Sequence, residues 1–109
     1  MAITINIYYK GKNNDALKFA KDMMDSGVVQ AIKEEKGNLK YDYFTSLNDP
    51  ETVLLIDCWE NQEAIDAHHR SWMMDEIMKL RDKYDLQMEV HRFNEEEELP
   101  QYDKKFIKS

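Results

Sequence analysis

The sequence predicts an α+β domain of the ferredoxin-like type, in which four strands and two helical regions alternate in the order βαββαβ. Two observations support this prediction. The spacing of apolar residues switches between the period of a strand and that of a helix, and turn residues stand at the switches. Two split β-α-β units of this length form a four-stranded antiparallel sheet with both helical regions on one face. We expect this domain to occupy residues 1–93, and an acidic tail to occupy residues 94–109.

The first third of the chain predicts one strand and one helical region. Residues 3–9 alternate between apolar and polar side chains, which is typical of a strand. From Asp15 to Ile32 apolar residues recur every three or four positions, which predicts an amphipathic helix. We expect Gly27 to bend or break this helix, and Gly37 to mark its end.

A hairpin is predicted next. Residues 39–47 alternate again, and the apolar side includes Tyr41, Tyr43 and the leucines at both ends. Residues 52–59 are almost continuously apolar, and a turn sequence at 48–50 separates the two strands. A strand that is apolar on both faces is covered on both faces. In a chain with its helices on one side, we therefore expect the sheet of a second subunit to cover the other side.

The second half of the chain predicts another helical region and the last strand. Asn61 is expected to cap the first helical segment and Ser71 a second one. The last strand is expected at residues 86–93, with apolar and polar side chains on opposite faces. Four consecutive glutamates and several apolar residues follow. The tail is therefore either a frayed end or an arm that packs on a partner subunit.

Composition excludes several classes of protein. The 109 residues carry a net charge of −7 without a dense Lys/Arg cluster, which argues against nucleic-acid binding. No apolar run approaches the roughly 18–20 residues that span a bilayer, so we expect no membrane association. The single cysteine, Cys58, cannot form an internal disulfide, which fits the reducing cytoplasm. We therefore expect a cytoplasmic protein.

The sequence also lacks the common motifs of cofactor and metal sites. It contains no Gly-rich phosphate loop, no Cys-x-x-Cys, no His-Glu-x-x-His and no nucleophile elbow centred on serine. The adjacent pair His68 and His69 does not have the i,i+3 or i,i+4 spacing that two ligands on one helix need. We expect no bound cofactor and no metal.

Three stretches, read together, resemble the antibiotic biosynthesis monooxygenase family of dimeric α+β barrels. They are Lys33 to Asp42, Leu54 to Asn61, and Glu63 to His68 followed by Arg70-Ser71. The resemblance implies a homodimer with two sheets face to face, and a pocket between the sheet and the helices of each subunit. Members include cofactor-free oxygenases of anthrones and quinols, haem-degrading enzymes and proteins that handle small signalling molecules, so the chemistry stays open.

The sequence departs from two patterns within the family. Relatives often carry Ser/Thr-Pro-His-aromatic after the histidine segment, where this chain has Ser71-Trp72-Met73-Met74. In the haem-degrading branch, an asparagine on the first strand corresponds to Asn6. The tryptophan and histidine of that branch fall at His68 and near Met78. Two of the three haem-branch positions are therefore unmatched.

Catalysis without a cofactor needs a substrate that gives up an electron readily once deprotonated, because O₂ reacts slowly with closed-shell molecules. The site needs a general base, donors for an anionic oxygen and a dry aromatic cavity. We select His68, Asn6 and Asp57 as candidate catalytic residues. His68 is either a base or a surface histidine at a helix join. Asn6 is either a site residue or a solvent-facing one. Asp57 is either a tuned base or an ion-paired carboxylate.

The candidate substrate-binding residues are Trp59, Trp72, Met73 and Tyr43. Trp59 is either core packing or a pocket wall whose indole N–H holds a substrate oxygen. The methionine-rich segment after Trp72 is either helix core or an adaptable lining suited to a flat aromatic ligand.

Our leading hypothesis is a cofactor-independent monooxygenase acting on a small aromatic or quinol-type substrate. The alternative is a non-catalytic protein that binds a small molecule on the same dimeric scaffold. Haem degradation is a third and less favoured hypothesis.

Overall fold

A computed structural model describes residues 2–95 and 98–108 of the chain. Its strands and helices follow one another as β1 (Ile3–Lys10), α1 (Asp15–Asp25), α2 (Val28–Lys33), β2 (Asn38–Thr45), β3 (Thr52–Trp59), α3 (Gln62–His69), α4 (Trp72–Arg81), β4 (Gln87–Asn94) and α5 (Gln101–Lys104). This order confirms the predicted βαββαβ arrangement, with each helical region divided in two.

The two breaks in the helical regions have local causes. Gly27, between α1 and α2, adopts φ +86°, a left-handed conformation that glycine reaches without steric cost. Ser71, between α3 and α4, has extended backbone angles. At the start of α3, the Asn61 side chain accepts a hydrogen bond from the Ala64 backbone N–H at 2.9 Å, as expected of a helix cap.

The four strands form one antiparallel sheet in the order β2-β3-β1-β4. The helices α1 to α4 share a core with one face of this sheet, which we call the helix face. Its central residues are Ile3, Ile5, Ile7 and Tyr9 of β1 and Val53, Leu55, Asp57 and Trp59 of β3. We call the other face the open face. Leu54 and Ile56 are half-buried there, although both faces of β3 were expected to be dry.

Both ends of strand β2 differ from the prediction. β2 ends at Thr45, so Leu47 lies beyond the strand and is fully exposed. A register shift between Asn38 and Lys40 interrupts the alternation near Leu39, which is also exposed. The two leucines, which alternation was expected to place on one side with Tyr41, are therefore both exposed.

The last strand, β4, is exposed along its whole length. By register its apolar residues Met88 and Val90 lie on the helix face, opposite Tyr9 and Ile7, yet neither is buried. β4 pairs with β1 as an edge strand. Its alternating sequence thus identified a strand, but the alternation did not identify a buried side.

The tail is described in part. Glu96 and Glu97 of the predicted acidic run lie outside the described residues. After them the structure describes α5 and four exposed apolar side chains, at Leu99, Tyr102, Phe106 and Ile107. Among the helices of residues 2–95 and 98–108, none has the length and apolar character needed to cross a membrane.

Candidate active site

A group of polar and aromatic side chains lies on the helix face where β2, β3 and α3 meet. We call it the polar cluster, and it consists of Glu35, Tyr41, Asp57, Trp59 and His68. Asp57 and Trp59 share a face because they stand two residues apart on β3. The His68 ring, from the last turn of α3, lies 4.8 Å from the Trp59 ring with an interplanar angle of 31°.

His68 is paired with a carboxylate from a distant part of the chain. Its Nδ1 lies 2.7 Å from Oε2 of Glu35, and the residue is only 3% exposed. α2 ends at Lys33 and the chain turns at Gly37, so Glu35 stands in the connection that passes α3. When the imidazole is neutral and Nδ1–H donates to this carboxylate, Nε2 is left as the proton-accepting nitrogen.

The pKa of His68 is set by two opposed effects. Burial lowers it below the ordinary value of a histidine, and the negative charge and hydrogen bond of Glu35 raise it. The result is a lowered pKa. His68 is therefore neutral near pH 7, with an orientation that the Glu35 contact defines.

The pKa of the Asp57 carboxyl is strongly raised. Burial raises its pKa from 3.8 to about 7. The Trp59 Nε1–H donates a short hydrogen bond to Oδ1, which lowers this pKa, and the charge of Glu35 raises it. Near neutral pH this carboxyl can therefore both accept and return a proton, as a general acid or base must.

Three tyrosines lie on the helix face: Tyr41 is part of the cluster, and Tyr9 and Tyr43 lie beside it. Burial raises the pKa of Tyr9 to about 12 and raises the pKa of Tyr41 and Tyr43 as well. All three hydroxyls stay protonated at physiological pH and can donate hydrogen bonds. The Tyr43 hydroxyl is buried next to the Tyr41 hydroxyl, and a hydrogen bond from Tyr41 lowers the pKa of Tyr43 against the larger effect of burial.

A cleft of about 220 Å³ opens between α1 and β2, and we call it the α1–β2 cleft. It is lined by Leu17, Ala20, Lys21, Met24, Asp25, Tyr43, Phe44, Thr45 and Val53. Tyr43 pairs with Leu55 across the β2–β3 ladder, so it is the diagonal neighbour of Asp57. Such neighbours lie about 7–8 Å apart, which places the cleft next to the polar cluster.

The structure brings three of the predicted site residues into direct contact or hydrogen bonding: Asp57, Trp59 and His68. Tyr43 lies next to them and lines the cleft. The indole N–H of Trp59 donates its hydrogen bond to Asp57, so this N–H does not hold a substrate oxygen.

Asn6 does not join this group. It pairs with Ile56 and His91, and alternation along β1 places it on the open face, away from Asp57 and His68. Its Oδ1 is buried and has no hydrogen-bond partner among the described residues. Asn6 therefore cannot act on a ligand bound at the polar cluster of its own chain.

Trp72 and Met73 are the first two residues of α4 and point to different sides of that helix. Met73 is buried in the core, whereas Trp72 is 60% exposed at the surface of α4. Consecutive residues of a helix point about 100° apart, so only one of the two can face the core. Neither lines the α1–β2 cleft.

Two members of the polar cluster were not selected from the sequence. Glu35 lies in a run of charged residues that is typical of a solvated helix end, and its contact with His68 joins positions 33 residues apart. Tyr41 carried a usable signal, because it alternates with Tyr43 on β2 and its register partner is Asp57. Within residues 2–95 and 98–108, no three metal-binding side chains are grouped to hold an ion.

Comparisons with known proteins agree with this fold. Residues 2–80 match the sequence model of the family described as antibiotic biosynthesis monooxygenase. A comparison with curated protein sequences finds no match.

Several solved structures have the same fold at low sequence identity. A conserved protein from Methanosarcina mazei Go1 is 21% identical, with a TM-score of 0.75 over 88% of this chain and 94% of its own. A Deinococcus radiodurans protein provisionally classed as an antibiotic biosynthesis monooxygenase is 17% identical, with a TM-score of 0.73 over 92% and 97%. A point mutant of SnoaB from Streptomyces nogalater, described as a cofactor-independent oxygenase, is 11% identical, with a TM-score of 0.73 over 92% and 98%. At these identities the similarity concerns the fold alone.

Proposed function

Because the chain belongs to the antibiotic biosynthesis monooxygenase family, we propose that it is a cofactor-independent monooxygenase acting on a small aromatic or quinol-type substrate. The observation that carries this proposal is the Asp57 carboxyl, which is buried among aromatic side chains and has a pKa raised to about 7 by that burial. The description of SnoaB as a cofactor-independent oxygenase supports the same chemistry on this fold.

In the proposed reaction, the Asp57 carboxylate accepts the proton of a phenolic hydroxyl. The resulting anion gives one electron to O₂, and the two radicals combine at a ring carbon to form a hydroperoxide anion. Protonation of the hydroperoxide and loss of water leave a carbonyl. For a phenol with a free ring C–H the sum is ArOH + O₂ → quinone + H₂O, so one oxygen atom enters the product and the other becomes water. Asp57 can return the proton it accepted.

The other members of the cluster hold Asp57 and its surroundings in place. Trp59 donates to one carboxylate oxygen and shields it from water. His68 packs on the indole ring, and Glu35 orients the imidazole through Nδ1.

Oxygen uptake with a reduced quinone or an anthrone tests the proposal. Asp57→Asn keeps the shape of the side chain and removes the base, and we expect a rate loss of about 10²-fold or more. In the wild type, kcat/KM should show a rise with pH near 7, which the variant should lack. Asp85→Asn changes an exposed aspartate in the same way and should leave the rate unchanged. Equal rates for Asp57→Asn and the wild type would exclude this role.

One observation favours the non-catalytic alternative. Asp57, Trp59 and His68 are closely packed and do not line the α1–β2 cleft, which a ligand can reach from solvent. A protein that only binds a small molecule would show saturable binding of a quinol analogue and no oxygen uptake with any quinol tested. For haem degradation, the location of Asn6 on the open face removes the remaining match, and the absence of a Soret shift with haemin would exclude it.

We also propose that the chain forms a homodimer through its open face. Proteins of this family are typically dimeric. The half-buried Leu54 and Ile56 support an interface there, as does the buried Oδ1 of Asn6, which has no hydrogen-bond partner among the described residues.

A further inference from the structure

We propose that Trp59 and Asp57 form a redox site, in which the indole gives up one electron to a peroxyl radical and passes its N–H proton to the carboxylate. Tyr41 then reduces the indole radical. The site itself does not depend on the proposed function, whereas its use during turnover rests on that function.

The Trp59–Asp57 pair has the geometry that this coupled transfer needs. The indole is 1% exposed, and its Nε1–H donates a hydrogen bond to Oδ1 of Asp57 at 2.5 Å. Removal of one electron turns an indole into a radical cation, whose N–H is a much stronger acid than that of the neutral ring. A cation that is buried without a partner is costly. Transfer of the proton along the existing hydrogen bond avoids this cost, because it leaves a neutral radical beside a neutral carboxyl group.

Reduction of the peroxyl radical ROO• balances this oxidation. ROO• takes one electron from Trp59 and becomes the hydroperoxide anion ROO⁻, while the indole N–H bond breaks and an O–H bond forms on Asp57. In the proposed reaction, ROO• forms when O₂ adds to a substrate radical that has lost its superoxide partner. Trp59 thereby converts a stray radical into the same hydroperoxide anion that normal turnover produces.

A further electron donor lies near the Trp59 radical. Trp59 begins a series of rings whose neighbouring centroids are 4.8 to 6.5 Å apart, and the series continues through His68, Tyr41, Tyr43 and Phe19 to Tyr9. A tyrosine reduces a neutral indole radical at neutral pH, and Tyr41 is the first tyrosine of the series.

Asp57 is placed to handle the protons of both rings. It is the register partner of Tyr41 across β2 and β3, which corresponds to a separation of about 4.5–5.5 Å between their Cβ atoms. When Tyr41 gives its electron to the indole radical, Asp57 returns the proton to Nε1 of Trp59 and accepts the phenolic proton. The radical thus moves to Tyr41 without leaving a charge on either ring.

Pulse radiolysis with trichloromethylperoxyl radicals tests the site without substrate. In Trp72→Phe, Trp59 is the single remaining tryptophan. At pH 8, where the carboxylate form of Asp57 predominates, we expect the absorption of the neutral indole radical. Adding Asp57→Asn should abolish this absorption and leave that of the radical cation, because an amide does not accept the proton.

The onward step has its own pair of variants in the Trp72→Phe background. We expect the indole radical to decay as a tyrosyl radical grows, at a rate that does not depend on protein concentration. Tyr41→Phe should lose this fast growth. Tyr102→Phe removes a hydroxyl from an exposed tyrosine of the tail and should leave the growth unchanged.

A change of pH repeats the test on Asp57 without altering that residue. At pH 5, below its pKa of about 7, Asp57 is protonated, so the radical cation should replace the neutral radical in Trp72→Phe. Trp59→Phe retains Trp72, which is 60% exposed and loses its proton to water. Its radical should therefore be neutral at both pH values.

Each part of the proposal can fail separately. A neutral Trp59 radical that persists in Asp57→Asn or at pH 5 would overturn the role of Asp57, and unchanged tyrosyl growth in Tyr41→Phe would overturn that of Tyr41. Absence of any Trp59 radical would overturn the redox site, even if the protein takes up O₂ with a quinol. A Trp59 radical that depends on Asp57, in a protein that takes up no O₂, would support the site and overturn its use in turnover.

Discussion

Asp57 and His68 show how burial acts in opposite directions on an acid and a base. Burial raises the pKa of Asp57 and lowers that of His68, because in both cases it disfavours the charged form. Glu35 opposes the effect on His68 and adds to the effect on Asp57. One carboxylate at the edge of the cluster therefore influences both candidate proton carriers.

The raised pKa of Asp57 predicts a pH-dependent stability change. The folded chain retains a proton on Asp57 that the unfolded chain releases between pH 3.8 and about 7. The stability contributed by that proton is fully present below pH 3.8 and is lost as the pH rises through about 7. This difference in pKa corresponds to about 4 kcal/mol. We expect Asp57→Asn to raise the free energy of unfolding by about 2–4 kcal/mol at pH 8 and to change it little near pH 4.

Urea unfolding of the wild type and of Asp57→Asn at the two pH values measures how the stabilisation depends on pH. Asp85→Asn, at an exposed aspartate, should have the same small effect on the free energy of unfolding at both pH values. A stabilisation by Asp57→Asn that does not depend on pH would show that Asp57 titrates normally in the folded protein.

At the scale of single elements, the turn between α2 and β2 positions Glu35. Gly37 adopts φ +90°, and a Cβ built on it would stand 2.6 Å from the Cβ of Ala64 on α3. Gly27 has nearly the same φ, but a Cβ there would meet nothing within 4 Å. The two glycines therefore differ in crowding and not in backbone conformation.

This difference predicts unequal costs for the same substitution. Gly27→Ala should lower the free energy of unfolding by about 1–2 kcal/mol, the cost of a left-handed alanine. Gly37→Ala should cost about 2–4 kcal/mol, because α3 must move as well. Urea denaturation of both variants measures the difference between their free energies of unfolding. Adding Ala64→Gly to Gly37→Ala should remove most of that difference. Equal costs for the two glycine variants would contradict the crowding.

Most elements were predictable because their signals are local. The strand β3 was expected at residues 52–59 and is observed there, since a continuous apolar run between turn residues leaves few alternatives. The ends of β2 were less predictable. The register shift next to Leu39 depends on how β2 pairs with β3, which the sequence of β2 alone does not specify.

At the scale of the whole molecule, the open face predicts the oligomeric state. The chain has a mass of 13.0 kDa, and we expect light scattering at micromolar concentration to give twice that value. Ile56→Lys places a charge at the centre of the open face and should yield monomers. Met78→Lys changes an exposed methionine of α4 and should leave the dimer intact. A wild-type mass of 13.0 kDa would contradict the dimer.

The order of strands and helices, the single sheet and the apolar side of β1 follow from the amino-acid sequence. Alternation placed Asn6 opposite the isoleucines of β1, and this is where it lies. The tertiary structure was needed to show that the side with the isoleucines carries Asp57, Trp59 and His68, and that Glu35 pairs with His68. Periodicity arises from neighbouring residues, whereas these contacts depend on register and packing between segments far apart in the chain.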